Sequence, residues 1–177
     1  METTWEIDPA HSSASFSVRH MMISKVHGGF SKLSGRLKLD RANPAASSVE
    51  ATIDAASVNT REEKRDEHLR SPDFFDVQKF PTIAFRSKSV KPAGAGDYRL
   101  TGDLTIHGVT KEVVLEVEGL DSEQKDPWGN VKIGASARTK INRKDFGLGW
   151  NAALETGGVL VGEDISITLD VQFVKKG

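Results

Sequence analysis

Apolar and polar residues alternate with a period of two along most of this chain, the spacing of strands with one buried and one solvated face. Phe16, Val18, His20 and Met22 share one face of a run whose other face holds Ser15, Ser17 and Arg19. Phe30 leads into Leu37 and Leu39, interleaved with Arg36, Lys38 and Asp40; Val49, Ala51 and Ile53 alternate with Glu50, Thr52 and Asp54. Ile83 and Phe85 precede the run Leu100, Gly102, Leu104 and Ile106, and Val113, Leu115 and Val117 come next. Val131, Ile133, Ala135, Ala137, Thr139 and Ile141 oppose Lys132, Arg138 and Lys140, and Ile165, Ile167, Leu169, Val171 and Phe173 follow. About eight such strands must bury one continuous apolar surface. Closing the sheet removes its edges and leaves an interior wide enough for one ligand at about eight strands. The expected fold is all-β: an extended, eight-stranded antiparallel barrel, with residues 1–177 as a single domain.

One segment breaks the alternation. Thr60 followed by Glu63 has the spacing of a capping box and opens the charged run REEKRDEHLR, which predicts a short helix. Asp66 and Arg70 lie four apart and are expected to pair on its surface. Leu69 is its one strongly apolar residue. Ser71-Pro72 suits a second short turn, and Phe74, Phe75 and Phe80 then need an apolar partner. A helical insert near residues 60–76 in a β chain suggests a lid over a barrel mouth. Elsewhere, His107-Gly108 predicts a tight hairpin with glycine at positive φ.

Composition narrows the function. With 37% hydrophobic and 28% charged residues the chain is globular rather than disordered. A net charge of -1 gives no basic excess for nucleic acid. The absence of cysteine excludes disulfides, thiolate-bound zinc and a cysteine nucleophile. The opening Met1-Glu2-Thr3-Thr4-Trp5 has no basic, apolar leader pattern and no window has spanning length, so no stable membrane insertion is expected. The expected compartment is the cytoplasm, or the periplasm or exterior if a leader has been removed.

Three separated segments then resemble one family in the right order. WEIDPAHSSASFSVRHMMISKVHGGF is similar to the first strands of the YceI-like, lipocalin-like, polyisoprenoid-binding proteins of bacteria, RDEHLRSPDFFDVQKFPTIAF to their helical insert, and LTGDLTIHGVTKEVVLEVE to their central hairpin. The resemblance implies an extended barrel with an elongated apolar interior. It also implies a long-chain amphiphilic partner: a polyisoprenoid, a prenyl quinone or a fatty amide. It further suggests that Phe146 and Trp150 of NRKDFGLGWN border the cavity; the alternative is a strand-to-loop transition anchored by Trp150.

Candidate ligand-binding residues follow from the inward faces. His20, beside Phe16 and Val18, is either a polar handle for a headgroup or a core histidine satisfied by a neighbour. Met22, Phe30, Phe85, Leu104, Ile106, Ile133 and Ala137 extend the lining. Leu69, Phe74 and Phe75 are candidate lid contacts. Ala51, Gly102, Ala135 and Ala137 are small inward residues that leave room. His11, His27, His68 and His107 have no metal-binding spacing, and no cofactor beyond a bound isoprenoid-type lipid is expected. The pairs Glu62/Glu63 and Asp66/Glu67 are expected on a solvated helical face. Neither Gly28-Gly29 nor Gly157-Gly158 has phosphate-loop spacing. Three readings are weighed: a lipid-binding carrier, an enzyme acting on such a lipid with His20 as acid or base, and a packed barrel used for interaction. Long terminal strand edges would permit a homodimer.

Overall fold

The alternating strands can bury their inner faces only by curling the sheet onto itself, and they do. The computed structural model describes residues 1–120, 122–151 and 161–177. Among these, twelve hydrogen-bonded segments fill eight wall positions, all paired antiparallel. Four positions are occupied by a broken strand, the first three being β1 (Glu2–Ile7) with β2 (Ser13–His20), β3 (Ser24–Phe30) with β4 (Leu33–Asp40), and β5 (Ser48–Asp54) with β6 (Val58–Asn59). The wall continues through β7 (Thr82–Gly94), β8 (Asp97–Ile106), β9 (Val109–Glu118) with the short β10 (Glu123–Lys125), β11 (Val131–Asn142) and β12 (Val161–Lys176). β11 pairs with both β9 and β12, and β12 pairs with both β1 and β2, which closes the ring. The terminal strands are thus paired on both sides, and the long free edges expected to permit a homodimer are absent from them.

The corner between β1 and β2 lets one wall position bend while keeping a single partner. Asp8 accepts from Ala10 N and caps the 3-10 turn Pro9–His11. Asp8 N donates to Gln172 O at 2.8 Å, and Gln172 N donates to Ser12 Oγ at 3.0 Å, so the bend straddles one residue of β12. The Asp8 carboxylate also reaches Lys132 Nζ on β11 at 2.9 Å and His11 Nδ1 at 2.8 Å.

Two apolar clusters fill the ends of the barrel. The lower one centres on Trp5, fully buried, with Ile133, Leu120 and Phe173. The upper one holds Phe30, Val58, Ile106, Ile141 and Phe146. Between them, aromatic rings are held against the wall by glycines. A methyl group on Gly28 would meet the Phe16 ring at 2.5 Å and Thr60 Cγ2 at 2.8 Å. One on Gly102 would meet the Phe85 ring and Arg86 O, both at 2.5 Å. Gly102 therefore makes room for Phe85 rather than for a ligand, while Ala51, Ala135 and Ala137 do border open space.

The insert is a helix, α1 (Glu63–Arg70), followed by turns through residue 79. The Thr60–Glu63 capping box does not form. Glu62 is the N-cap and accepts from Arg65 N at 2.5 Å. Thr60 is held instead by Asp66, whose Oδ1 accepts from Thr60 N at 2.8 Å and Thr60 Oγ1 at 2.6 Å. Asp66 is 4% exposed, so it is neither the expected surface partner of Arg70 nor part of a solvated acidic face. Arg70 faces Glu63 at 3.9 Å and donates to Ala56 O. The expected tight hairpin does form: Ile106 pairs with Val109, and His107 and Gly108 have φ of 56° and 73°, the two positive values of a type I′ turn. β2 stops at His20, because Met21 and Met22 adopt φ of 52° and 60° in the loop to Ser24. The Gly157-Gly158 pair lies outside the described residues.

Two outcomes are expected. The Asp8 carboxyl is held down at about 2, from an ordinary 3.8, by hydrogen bonds from Lys132 and His11. A depressed carboxyl stabilises the fold above its unfolded value, and that contribution disappears as pH falls through about 4 towards about 2. Asp8→Asn should flatten this acid limb in urea titrations and cost about 1 kcal/mol at neutral pH, the screened range for such a pair. Gly28→Ala should cost about 1–3 kcal/mol through overpacking, and Phe16→Leu in the same chain should restore part of it by denaturant melts.

Candidate functional site

The two clusters share Phe85 and Leu169 as half-buried neighbours, and side chains of both border a cavity of about 380 Å³. Its wall is almost wholly apolar. It extends from Leu39, Tyr98 and Leu120 at the lower end to Leu69, Phe74 and Trp150 beneath the α1 segment. Ala51, Ala135, Ala137, Leu169 and Val171 form its middle, where small side chains on β5 and β11 keep the lumen open.

Most of the sequence candidates meet here. Phe16, Val18 and His20 border the cavity from β2, and Phe30 from β3. Phe85, Leu104, Ile106 and Ala137 border it from β7, β8 and β11. Leu69, Phe74 and Phe75 come from the insert, and Trp150 from the loop after β11. Three candidates lie elsewhere. Met22 is 59% exposed in the β2–β3 loop, because the strand that would have carried it inward has already ended. Ile133 and Phe146 are each 1% exposed and sealed within the lower and upper clusters, behind the side chains that border the space. Phe80 also turns away: its ring meets His107 at 4.8 Å and covers Gly108.

The α1 end is built from interlocked rings and polar anchors. His68 meets Trp150 edge-on at 4.6 Å and Phe74 at 5.1 Å, and its Nε2 is 2.9 Å from Asp73 Oδ2. Phe75 meets Phe30 at 5.6 Å. Helix α1 is too short and polar to be stable alone. It is fixed by the buried Asp66–Thr60 pair and by Arg65, which donates to Thr60 O at 2.8 Å and Thr60 Oγ1 at 2.7 Å.

Arg143, 2% exposed, also borders the cavity. It donates to Gly162 O at 2.7 Å, Leu148 O at 2.5 Å, Trp150 O at 2.8 Å and Val161 O at 3.2 Å. Burial lowers its guanidinium below the usual value, opposed by the charge on Glu163; arginine remains charged at any physiological pH. Four carbonyls offset the cost of burying it. Sequence reading missed this residue. The signal was present: the odd-numbered parity that places Ala137, Thr139 and Ile141 inside places Arg143 there too.

Trp5, Tyr98 and Arg65 were likewise not singled out from the sequence. Among the described residues, no three His, Asp or Glu side chains gather as a metal site. His11 and His68 each contact a nearby aspartate, and His107 packs on Phe80. No helix among the described residues is long and apolar enough to cross a membrane.

Known proteins share this architecture. A UPF0312 protein of Staphylococcus aureus strain N315 is 38% identical over 172 residues, covering 97% of each chain. A UPF0312 protein of Vibrio cholerae El Tor Inaba is 41% identical over 139 residues, covering 78% of this chain and 73% of its own. The crystal structure of Burkholderia cenocepacia BcnA superposes with a TM-score of 0.81 at 27% identity, covering 94% of this chain and 98% of that one. The Campylobacter jejuni YCEI protein gives 0.74 at 34% identity, with 90% of each chain covered. The YceI-like domain model matches residues 5–173, and with the closed barrel and its helical insert this places the chain in the YceI-like family.

Proposed function

We propose that this protein binds, and stores or carries, a long-chain amphiphilic lipid such as a polyisoprenoid, a prenyl quinone or a fatty amide. The observation that carries this reading is the unfilled, elongated, apolar lumen of about 380 Å³, within the usual range for a small-molecule site. Each methylene transferred from water into such a wall contributes about 0.8 kcal/mol. A chain of about ten carbons therefore gains enough to offset its ordering with few polar contacts. The fold neighbours add support: a Saccharophagus degradans structure with a TM-score of 0.68 at 16% identity is described as a polyisoprenoid binding domain.

Among the described residues, no aspartate or glutamate borders the lumen. His20 therefore faces no carboxylate with which to share acid–base work, and retention without chemistry is the reading the wall supports. The open lumen likewise favours a carrier over an interaction module with a packed interior.

Organic extraction of the purified protein, followed by mass spectrometry, should release a long-chain prenyl or acyl species. Protein that is consistently empty, and that takes up neither prenyl quinones nor long-chain lipids, would overturn the proposal. Ala137→Phe places a ring in mid-lumen; uptake of a prenyl quinone should fall at least about tenfold, roughly 1.4 kcal/mol, while circular dichroism stays that of the folded barrel.

A further inference from the structure

The basic side chains that border the cavity share its wall with no acidic ones among the described residues. They are Arg19, His20, Arg65, His68 and Arg143. Contacts tie four of them to the same end. His20 stands opposite Val161 in the strand register, and Val161 O accepts from Arg143. Arg143 also donates to Trp150 O, and the Trp150 ring meets His68. Arg65 lies three residues before His68 on α1, one turn away on the same side. The opposite end, at Leu39, Tyr98 and Leu120, offers only neutral hydroxyls, those of Tyr98, Ser47 and Ser48.

Arg143 is the least ordinary member. Four of its five N–H donors are met by backbone carbonyls, which leaves one N–H and a whole positive charge with no ion-paired carboxylate among the described residues. Glu163 acts on it only at a distance and is itself paired with Lys144 at 2.8 Å. The His20 carbonyl accepts from Ile23 N, but its imidazole makes no hydrogen bond or ion pair among the described residues. A long apolar tunnel with positive charge at one end, unpaired with any carboxylate among the described residues, selects a ligand of matching polarity along its length.

We propose that the amphiphile held in this barrel carries an acidic headgroup, a phosphate or a carboxylate, seated among Arg143, Arg65 and His20 with its chain running towards Tyr98. The inference rests on the lipid-binding reading and narrows it to one headgroup class. An anionic oxygen there gains charge-assisted hydrogen bonds, about twice as strong as neutral ones, in surroundings that screen charge poorly.

Four probes with one C18 chain separate the possibilities: oleate, oleyl phosphate, oleamide and oleyl alcohol, titrated calorimetrically into lipid-stripped full-length protein. The acid-headed probes should bind at least about tenfold tighter than the alcohol and the amide. The tighter of oleate and oleyl phosphate identifies the acid. Arg143→Gln should remove the preference. Because that change also strands four carbonyls, the His20→Gln/Arg65→Gln double variant is the second test, and loss of preference in either folded variant supports the site. Equal or tighter binding of the neutral probes, or a preference intact in both variants, overturns the headgroup site while leaving lipid binding standing. Failure of all four probes to bind takes both down.

Discussion

A sheet closed into a barrel turns half of its side chains towards a common axis, and whether they meet there decides what the molecule can be. In this chain they meet at the two ends and not in the middle. The ends hold Trp5, Ile133 and Phe173 below and Phe30, Ile106 and Phe146 above. Mid-wall positions carry Ala51, Ala135 and Ala137, and the rings of Phe16 and Phe85 are flattened over Gly28 and Gly102. Open lumen is thus a property of residue size at particular register positions. It follows from the pairing pattern and needs no special element to prop it open.

The polar groups are arranged around that constraint. Strands with one solvated face send their carboxylates outward, where Glu50, Glu112 and Glu116 pair with Arg86, Lys88 and Arg99. The wall itself can bury only groups whose hydrogen bonds are met. Asp66 and Arg143 satisfy that condition in opposite ways. Asp66 fixes α1 to the end of β6 by accepting from Thr60, and Arg143 gathers the carbonyls of the loop after β11 and the start of β12. Both lie at the α1 end, so the structural anchoring of the insert and the polarity of the cavity share one location.

Much of this was legible in the sequence because a period of two fixes the inward face of a strand without tertiary information. Phe16, Val18, Phe85, Leu104, Ile106 and Ala137 were placed correctly on parity alone. Parity gives no depth, which is why Ile133 and Phe146 were counted with the lining although they are packed behind it. It gives no strand end either: nothing in Met21-Met22 announces two consecutive residues at positive φ. β1 was missed as a separate alternating run because it is short and turns a corner at Pro9. The helix was found, but its cap was misassigned, because Asp66 obeys a long-range demand for burial at Thr60 rather than the local spacing rule.

The strand β12 is shared by β1 and β2, and through it Gln172 is hydrogen-bonded to Ser12, 160 positions away. Pairings between such distant stretches form late, since the entropy of closing the intervening loop must be overcome first. The seam along β12 is accordingly the natural last step of assembly, and the wall is incomplete until it zips. An occupant that recognises only the finished wall would hold that seam shut by mass action, so its abundance and the lifetime of the folded molecule would rise and fall together.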